Sequence, residues 1–198
     1  MASLVPFIGL TGGLGSGKST ALAALERLGA AVISSDAVVH ELYESAELRN
    51  AVVARFGPEV APGGVVDRGL LAGRAFAQED DRGWLEGLVW PMVGARVAAW
   101  LEDARARTPP PRAAVAEVPL LFEAGLEGLY DATIAVVSDE GLRSTRAAQR
   151  GHALVDERAA RQLSQEEKAG RATFVVRNDG SEEDLERELS AVLAKLGR

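Results

Sequence analysis

The stretch Gly12-Gly-Leu-Gly-Ser-Gly-Lys-Ser19 constrains this chain more than any other. It satisfies the spacing G-x-x-x-x-G-K-[ST], and its neighbours supply the context that gives the spacing meaning. The run Val5–Leu10 before it is almost wholly apolar, as in a strand buried on both faces. After it, Leu22, Leu25 and Leu28 recur at helical intervals until Gly29, and Ala30–Ile33 reads as a second strand closing a βαβ unit. A glycine-rich turn between strand and helix lets the backbone approach an anion without Cβ interference. Its N–H groups and the helix start then form a positive nest. In that frame Gly13, Gly15, Ser16, Gly17, Lys18, Ser19 and Thr20 cradle the phosphates of a nucleoside triphosphate. Lys18 reaches the β- and γ-phosphates, and the Ser19 hydroxyl faces Mg²⁺.

The rest of the 198 residues continues the alternation. Helices are expected through Val38, Val39 and Leu42, over Glu47–Phe56, over Asp67–Phe76, and over Arg82–Arg107 with an interruption at Pro91. The prolines from Pro109 to Pro111 end that last helix. Ala113–Val118, Ala132–Val137 and Phe174–Val176 read as strands, and Arg143–Arg150 and Asp156–Gln162 as helices. Ser181 and Asp184 have capping-box spacing before a final helix with the stripe Leu185, Leu189, Val192, Leu193 and Leu196. Alternating strands and helices predict a parallel sheet covered on both faces, an α/β architecture.

Several side chains have two readings each. Asp36 follows the second strand, where the carboxyl ends of parallel strands open onto a ligand crevice. It is either a base or a water-mediated Mg²⁺ holder, or else an N-cap with no chemistry. Glu117 stands at a strand end as a Walker-B-type metal acid or as a surface glutamate, and Glu123 is a weaker candidate in the loop beyond. The stretch 143–171 carries six arginines and Lys168 against four acids, net +3. It is either a lid that clamps phosphates or a solvated helix face. His40 and His152 read as surface or capping residues. Trp84, Trp90 and Trp100 read mainly as core, with stacking on an adenine as the other option.

Composition narrows the classes further. With no cysteine, disulfides, thiolate zinc sites and cysteine nucleophiles are excluded, and two histidines cannot build a histidine-rich metal site. The net charge of −7 argues against non-specific nucleic-acid binding. The first residues carry no basic region and no window approaches 18 apolar residues. The expectation is therefore no membrane span and a cytoplasmic location.

Taken in order, the motifs resemble those of the dephospho-CoA kinase family over roughly Phe7 to Val192. The resemblance rests on Ile8–Thr20, Val32-Ile-Ser-Ser-Asp36, Val66-Asp-Arg-Gly-Leu70 with Phe76, and Trp84–Pro91. It rests further on Val118-Pro-Leu-Leu-Phe-Glu123, Arg146-Ala-Ala-Gln-Arg150 and Asn178-Asp-Gly180. It implies a three-layer α/β/α P-loop kinase with a helical acceptor-binding region near 45–107 and a small helical lid near 141–171, all in one domain. ATP and dephospho-CoA are the implied small-molecule substrates, Mg²⁺ the implied cofactor, and the ribose 3′-hydroxyl the implied acceptor. Asp36 takes the place of the catalytic base, Arg146 belongs to the lid, and Asn178 and Gly180 sit near the adenine. Arg68 and Glu123 are candidates on the acceptor side. Three positions depart from the family pattern: Ser34 where a second acid is usual, Trp90 where a histidine is frequent, and Gly151 where an acid often follows the lid arginine.

Two other classes compete. A kinase of nucleosides or nucleoside monophosphates shares the P-loop but not the Pro119–Glu123 string or the long middle region. A GTP switch needs Asn-Lys-x-Asp, which is absent, and Asp80-Asp-Arg-Gly83 mimics its D-x-x-G only after a polar loop. None of these features sets an oligomeric state.

Overall fold

The computed structural model describes residues 5–143 and 162–197. The chain divides into two compact units, Met1–Ser34 with Leu101–Arg198, and Ser35–Trp100.

The first unit is built on a five-stranded parallel sheet: β1 (Phe7–Gly12), β2 (Ala31–Ser34), β3 (Ala114–Glu117), β4 (Ala132–Val137) and β5 (Phe174–Arg177), in the order β2-β3-β1-β4-β5. β1 is central and every one of its residues is buried, as its apolar run requires. Alternate residues of β1 serve different faces. Ile8 and Leu10 join Val115, Ile134 and Val136 under α1 (Lys18–Arg27) and the last helix, α7 (Glu182–Leu196). Phe7, Gly9 and Thr11 belong to the opposite face. Phe7 stacks on Tyr130 with ring centroids 4.6 Å apart, and a Cβ on Gly9 would stand 2.5 Å from Leu121 Cδ1. Gly9 is therefore the close approach that lets Leu121 and Tyr130 cover the sheet. α6 (Gln165–Arg171) packs on β4 and β1. Both capping boxes are complete: Ser164 with Glu167 opens α6, and Ser181 with Asp184 opens α7.

The second unit is helical: α2 (Ser35–Glu44), α3 (Ala46–Phe56), α4 (Arg68–Ala75) and most of α5 (Glu79–Arg105). Ser45 caps α3 and Asp67 caps α4 through side-chain oxygens. α3 packs against α2, α4 and the turn Pro58–Val60. Phe56 meets Trp84 edge-on at 5.6 Å, while the Arg55 guanidinium lies 5.6 Å from the Trp84 ring and bonds Asp81 at 2.8 Å.

Several expectations shift. β1 runs on to Gly12 because Thr11 and Gly12 pair with Ala135 and Val136 of β4. α5 continues through Pro91 as one helix, so the expected interruption there does not occur. Asp80–Gly83 lies in the start of that helix and not after a strand, which disposes of the switch reading. α6 was not expected. Trp90 is 56% exposed and Trp84 and Trp100 are half-buried, so the tryptophans are not core. Of the two helices expected over Arg143–Arg150 and Asp156–Gln162, residues 144–161 lie outside the described residues, and Arg146, Gly151 and His152 with them. No helix among the described residues is long and apolar enough to cross a membrane.

Candidate active site

The glycine loop leaves β1 at Gly12, turns through a Ser16 N to Gly13 O bond of 3.2 Å, and enters α1 at Gly17. Gly15 has φ +74°, the left-handed region that glycine adopts freely. A Cβ there would also sit 2.6 Å from the Arg143 carbonyl oxygen. Two independent constraints thus select glycine at this turn. Gly17 caps α1 without a side-chain acceptor, and α1 carries no acid in its first turn. By contrast α2, α3, α5, α6 and α7 all place acids there. The first-turn N–H groups of α1 and the positive end of its dipole are left for an anion.

Lys18 extends over the loop, its Nζ donating to Gly12 O and Gly13 O, both at 3.0 Å. Ser19 is exposed and Thr20 half-buried in the first turn, whereas Gly13, Gly15, Ser16 and Gly17 are buried. Ser16 Oγ is buried without a hydrogen-bond partner among the described residues. Its main chain is braced from the far end of the sequence, since Asn178 Nδ2 donates to Ser16 O at 2.9 Å. Asn178 is held in turn by its own N–H to Val137 O, 2.9 Å. Asn178 therefore acts on the phosphate loop itself. Gly180 lies at the start of α7, where a Cβ would be 2.7 Å from Asp184 Oδ2 of the capping box.

Beside this loop β2 and β3 end level with each other at Ser34 and Glu117, and Glu117 also pairs with Leu10, two residues before β1 ends. Glu117 is 7% exposed, and no described residue hydrogen-bonds its carboxylate. Beyond it, Glu123 Oε1 accepts from Lys168 Nζ at 2.9 Å and from Leu163 N at 2.8 Å, while Oε2 is buried with no partner among the described residues. Lys168, counted with the arginines as a basic lid charge, is instead wholly buried and also donates to Pro119 O at 2.7 Å. Hydrophobic patterning gives no hint of this, because the side chains that α6 turns inward are Gln165 and Lys168. Gln165 clamps both main-chain groups of Ser138 at 2.9 Å. The only advance signal was the spacing Ser164-x-x-Glu167 of a capping box.

In the second unit, α2 starts at Ser35, one residue before Asp36, so Asp36 is not the cap. Its carboxylate is exposed and no described residue bonds it. Arg68 opens α4, and its Nη1 lies 2.6 Å from His40 Nδ1. Guanidinium has no acceptor, so His40 Nδ1 accepts and its proton resides on Nε2.

A glycine loop at the carboxyl end of a central parallel strand, running into an uncapped and acid-free helix, defines a P-loop nucleotide-binding enzyme. The comparisons narrow this class. The pattern of the dephospho-CoA kinase family matches residues 6–184. A dephospho-CoA kinase of Anaeromyxobacter dehalogenans is 41% identical over 194 residues, spanning 96% of this chain and 91% of the relative. TT1252 from Thermus thermophilus superposes with a TM-score of 0.79 at 38% identity, covering 97% of this chain and 98% of that one. The dephospho-CoA kinase from Campylobacter jejuni shares the fold, with a TM-score of 0.66 at 23% identity over 98% of each chain. The chain belongs to the dephospho-CoA kinase family. With that membership comes the activity, ATP-dependent phosphorylation of dephospho-CoA, the final step of coenzyme A biosynthesis.

Proposed function

We propose that the chain transfers the γ-phosphoryl group of ATP to the ribose 3′-hydroxyl of dephospho-CoA, with Asp36 as the general base. One observation carries the donor half of this reading: α1 begins with no capping side chain and no acid behind a glycine loop spanned by Lys18. That arrangement favours an anion with several oxygens, and a triphosphate fits its backbone donors and single ammonium. Lys18 exchanges its loop carbonyls for phosphate oxygens, moving positive charge to where negative charge develops.

Asp36 is suited to the acceptor half because its carboxylate is exposed and engaged by no described residue, so its lone pairs remain available for a hydroxyl proton. It follows β2 by two residues. Arg68, oriented by His40, is the proposed cation for the anionic acceptor, whose remaining contacts come from the helical region near 45–107. Arg146 joins the phosphate contacts on the strength of the family resemblance alone.

The residues also fit Mg²⁺. No group of three acidic or histidine side chains capable of holding a metal occurs among the described residues. A Mg²⁺ shared with phosphates and water needs only one or two protein oxygens. The exposed Ser19 hydroxyl and the unpartnered Glu117 carboxylate are donors of the right hardness. Held by these two side chains, Mg²⁺ would supply positive charge to offset that of the phosphates.

The test is a coupled ADP-release assay with dephospho-CoA set against nucleosides and nucleoside monophosphates. Acceleration by dephospho-CoA alone is expected. Acceleration only by the nucleosides or their monophosphates would overturn the reading.

A further inference from the structure

Within the kinase reading above, Glu123 and Lys168 stand apart, since neither is needed to touch phosphate or acceptor. Burying an ion pair sets desolvation against attraction, and two apolar side chains fill the same space at similar stability. What a buried pair adds is direction. Lys168 Nζ reaches Glu123 Oε1 at 2.9 Å and Pro119 O at 2.7 Å, and the same Oε1 receives Leu163 N at 2.8 Å. Thr11 Oγ1, near the end of β1, donates to the same Pro119 carbonyl at 3.3 Å. A continuous chain of polar contacts thus runs from the strand that launches the phosphate loop, through Pro119, Lys168 and Glu123, to Leu163. Glu123 Oε2, buried with no partner among the described residues, indicates a pair not optimised for stability alone.

Leu163 is not a neutral end point. A cleft of about 250 Å³ is lined on one side by Gly13 and Leu14 of the phosphate loop and on the other by Leu163, Ser164, Gln165 and Arg143, among others. The ion pair fixes where that second wall begins, and the Gln165 clamp on Ser138 fixes its continuation. We propose that Glu123 and Lys168 are positioning residues for the nucleotide, setting residues 163–165 against Gly13 and Leu14 without contacting ATP or the acceptor.

The experiment compares the full-length parent with Lys168→Met and with the double variant Lys168→Met/Glu123→Leu. It measures thermal unfolding, ATP binding by calorimetry, and KM for both substrates. The double variant carries the decision if Lys168→Met does not fold, because it leaves no unpaired buried charge. Its Tm is expected to stay close to the parent's, while ATP binds more weakly by about tenfold, because residues 163–165 are no longer held ready for it. The KM for dephospho-CoA is expected to change less than twofold. A double variant with parental Tm and parental ATP affinity would overturn the proposal, leaving a pair that only fills space. A rise confined to the KM for dephospho-CoA would also overturn it, placing Glu123 at the acceptor. A parent that binds no ATP would instead refute the kinase reading, an outcome distinguishable from both.

Discussion

Replacing Asn178 by alanine removes its side-chain bond to the phosphate loop, and the consequences of that loss follow from the geometry. Asn178 Nδ2 donates to Ser16 O at 2.9 Å, and Ser16 is wholly buried, so its carbonyl cannot turn to water for a replacement donor. Leaving such a carbonyl short of a donor costs about 1–3 kcal/mol. For a chain of this size that lowers Tm by roughly 2–12 °C. The main-chain bond from Asn178 N to Val137 O survives the substitution, so the strand end itself stays in place. The loss falls on the phosphate loop, which is then less well ordered to receive an anion. If about 1.4 kcal/mol of the cost reappears on binding, affinity drops about tenfold. Calorimetry with ATP, GTP and inorganic triphosphate reads this directly. All three are expected to weaken in parallel, because the lost bond supports the loop and not the base. Weaker ATP binding with unchanged triphosphate binding would refute the reasoning and return Asn178 to the adenine.

Asp36→Asn should leave ATP affinity near the parental value while kcat falls by about 10²-fold or more, the usual scale for a lost general base. Full turnover in that variant would exclude Asp36 as the base. Gly15→Ala forces a side chain into the left-handed region, at about 1–2 kcal/mol, and into the Arg143 carbonyl; a lowered Tm and lost ATP binding are expected by thermal shift. Glu167 is held below its ordinary carboxylate range mainly by the Ser164 main-chain N–H, and Asp184 likewise by that of Ser181. A depressed carboxylate stabilises the fold fully above its unfolded value and loses that contribution as pH falls through its folded one. The Tm difference between parent and Glu167→Gln should therefore be constant near neutrality and shrink below about pH 4. A difference that persists unchanged into acid would show that the charge is not responsible.

Much of the first unit is legible from sequence because its determinants are local or periodic. The glycine spacing names the loop, the apolar runs name β1 and β4, and the stripe Leu185, Leu189, Val192 and Leu193 names the buried face of α7. α6 escaped because it buries a lysine and a glutamine, so its inward face carries no hydrophobic period. Pro91 reads as a breaker from sequence, yet the helix runs through it from Glu79 to Arg105. The brace from Asn178 to Ser16 spans 162 positions and leaves no local pattern. Asp36 was ambiguous between cap and base until the helix start fell at Ser35, which leaves its carboxylate out of the capping position. Glu123 was visible as part of a string, yet its partner Lys168 was legible only as one charge in a basic stretch.

The central claim is the identity of the acceptor and of the oxygen phosphorylated. Incubating the protein with dephospho-CoA, Mg²⁺ and ATP labelled in its γ-phosphate, then following the label by phosphorus NMR, addresses both at once. Label is expected to leave ATP and appear as a 3′-phosphomonoester of coenzyme A, one ADP forming for each. Dephospho-CoA left unlabelled while nucleosides or nucleoside monophosphates take up the phosphate would contradict it.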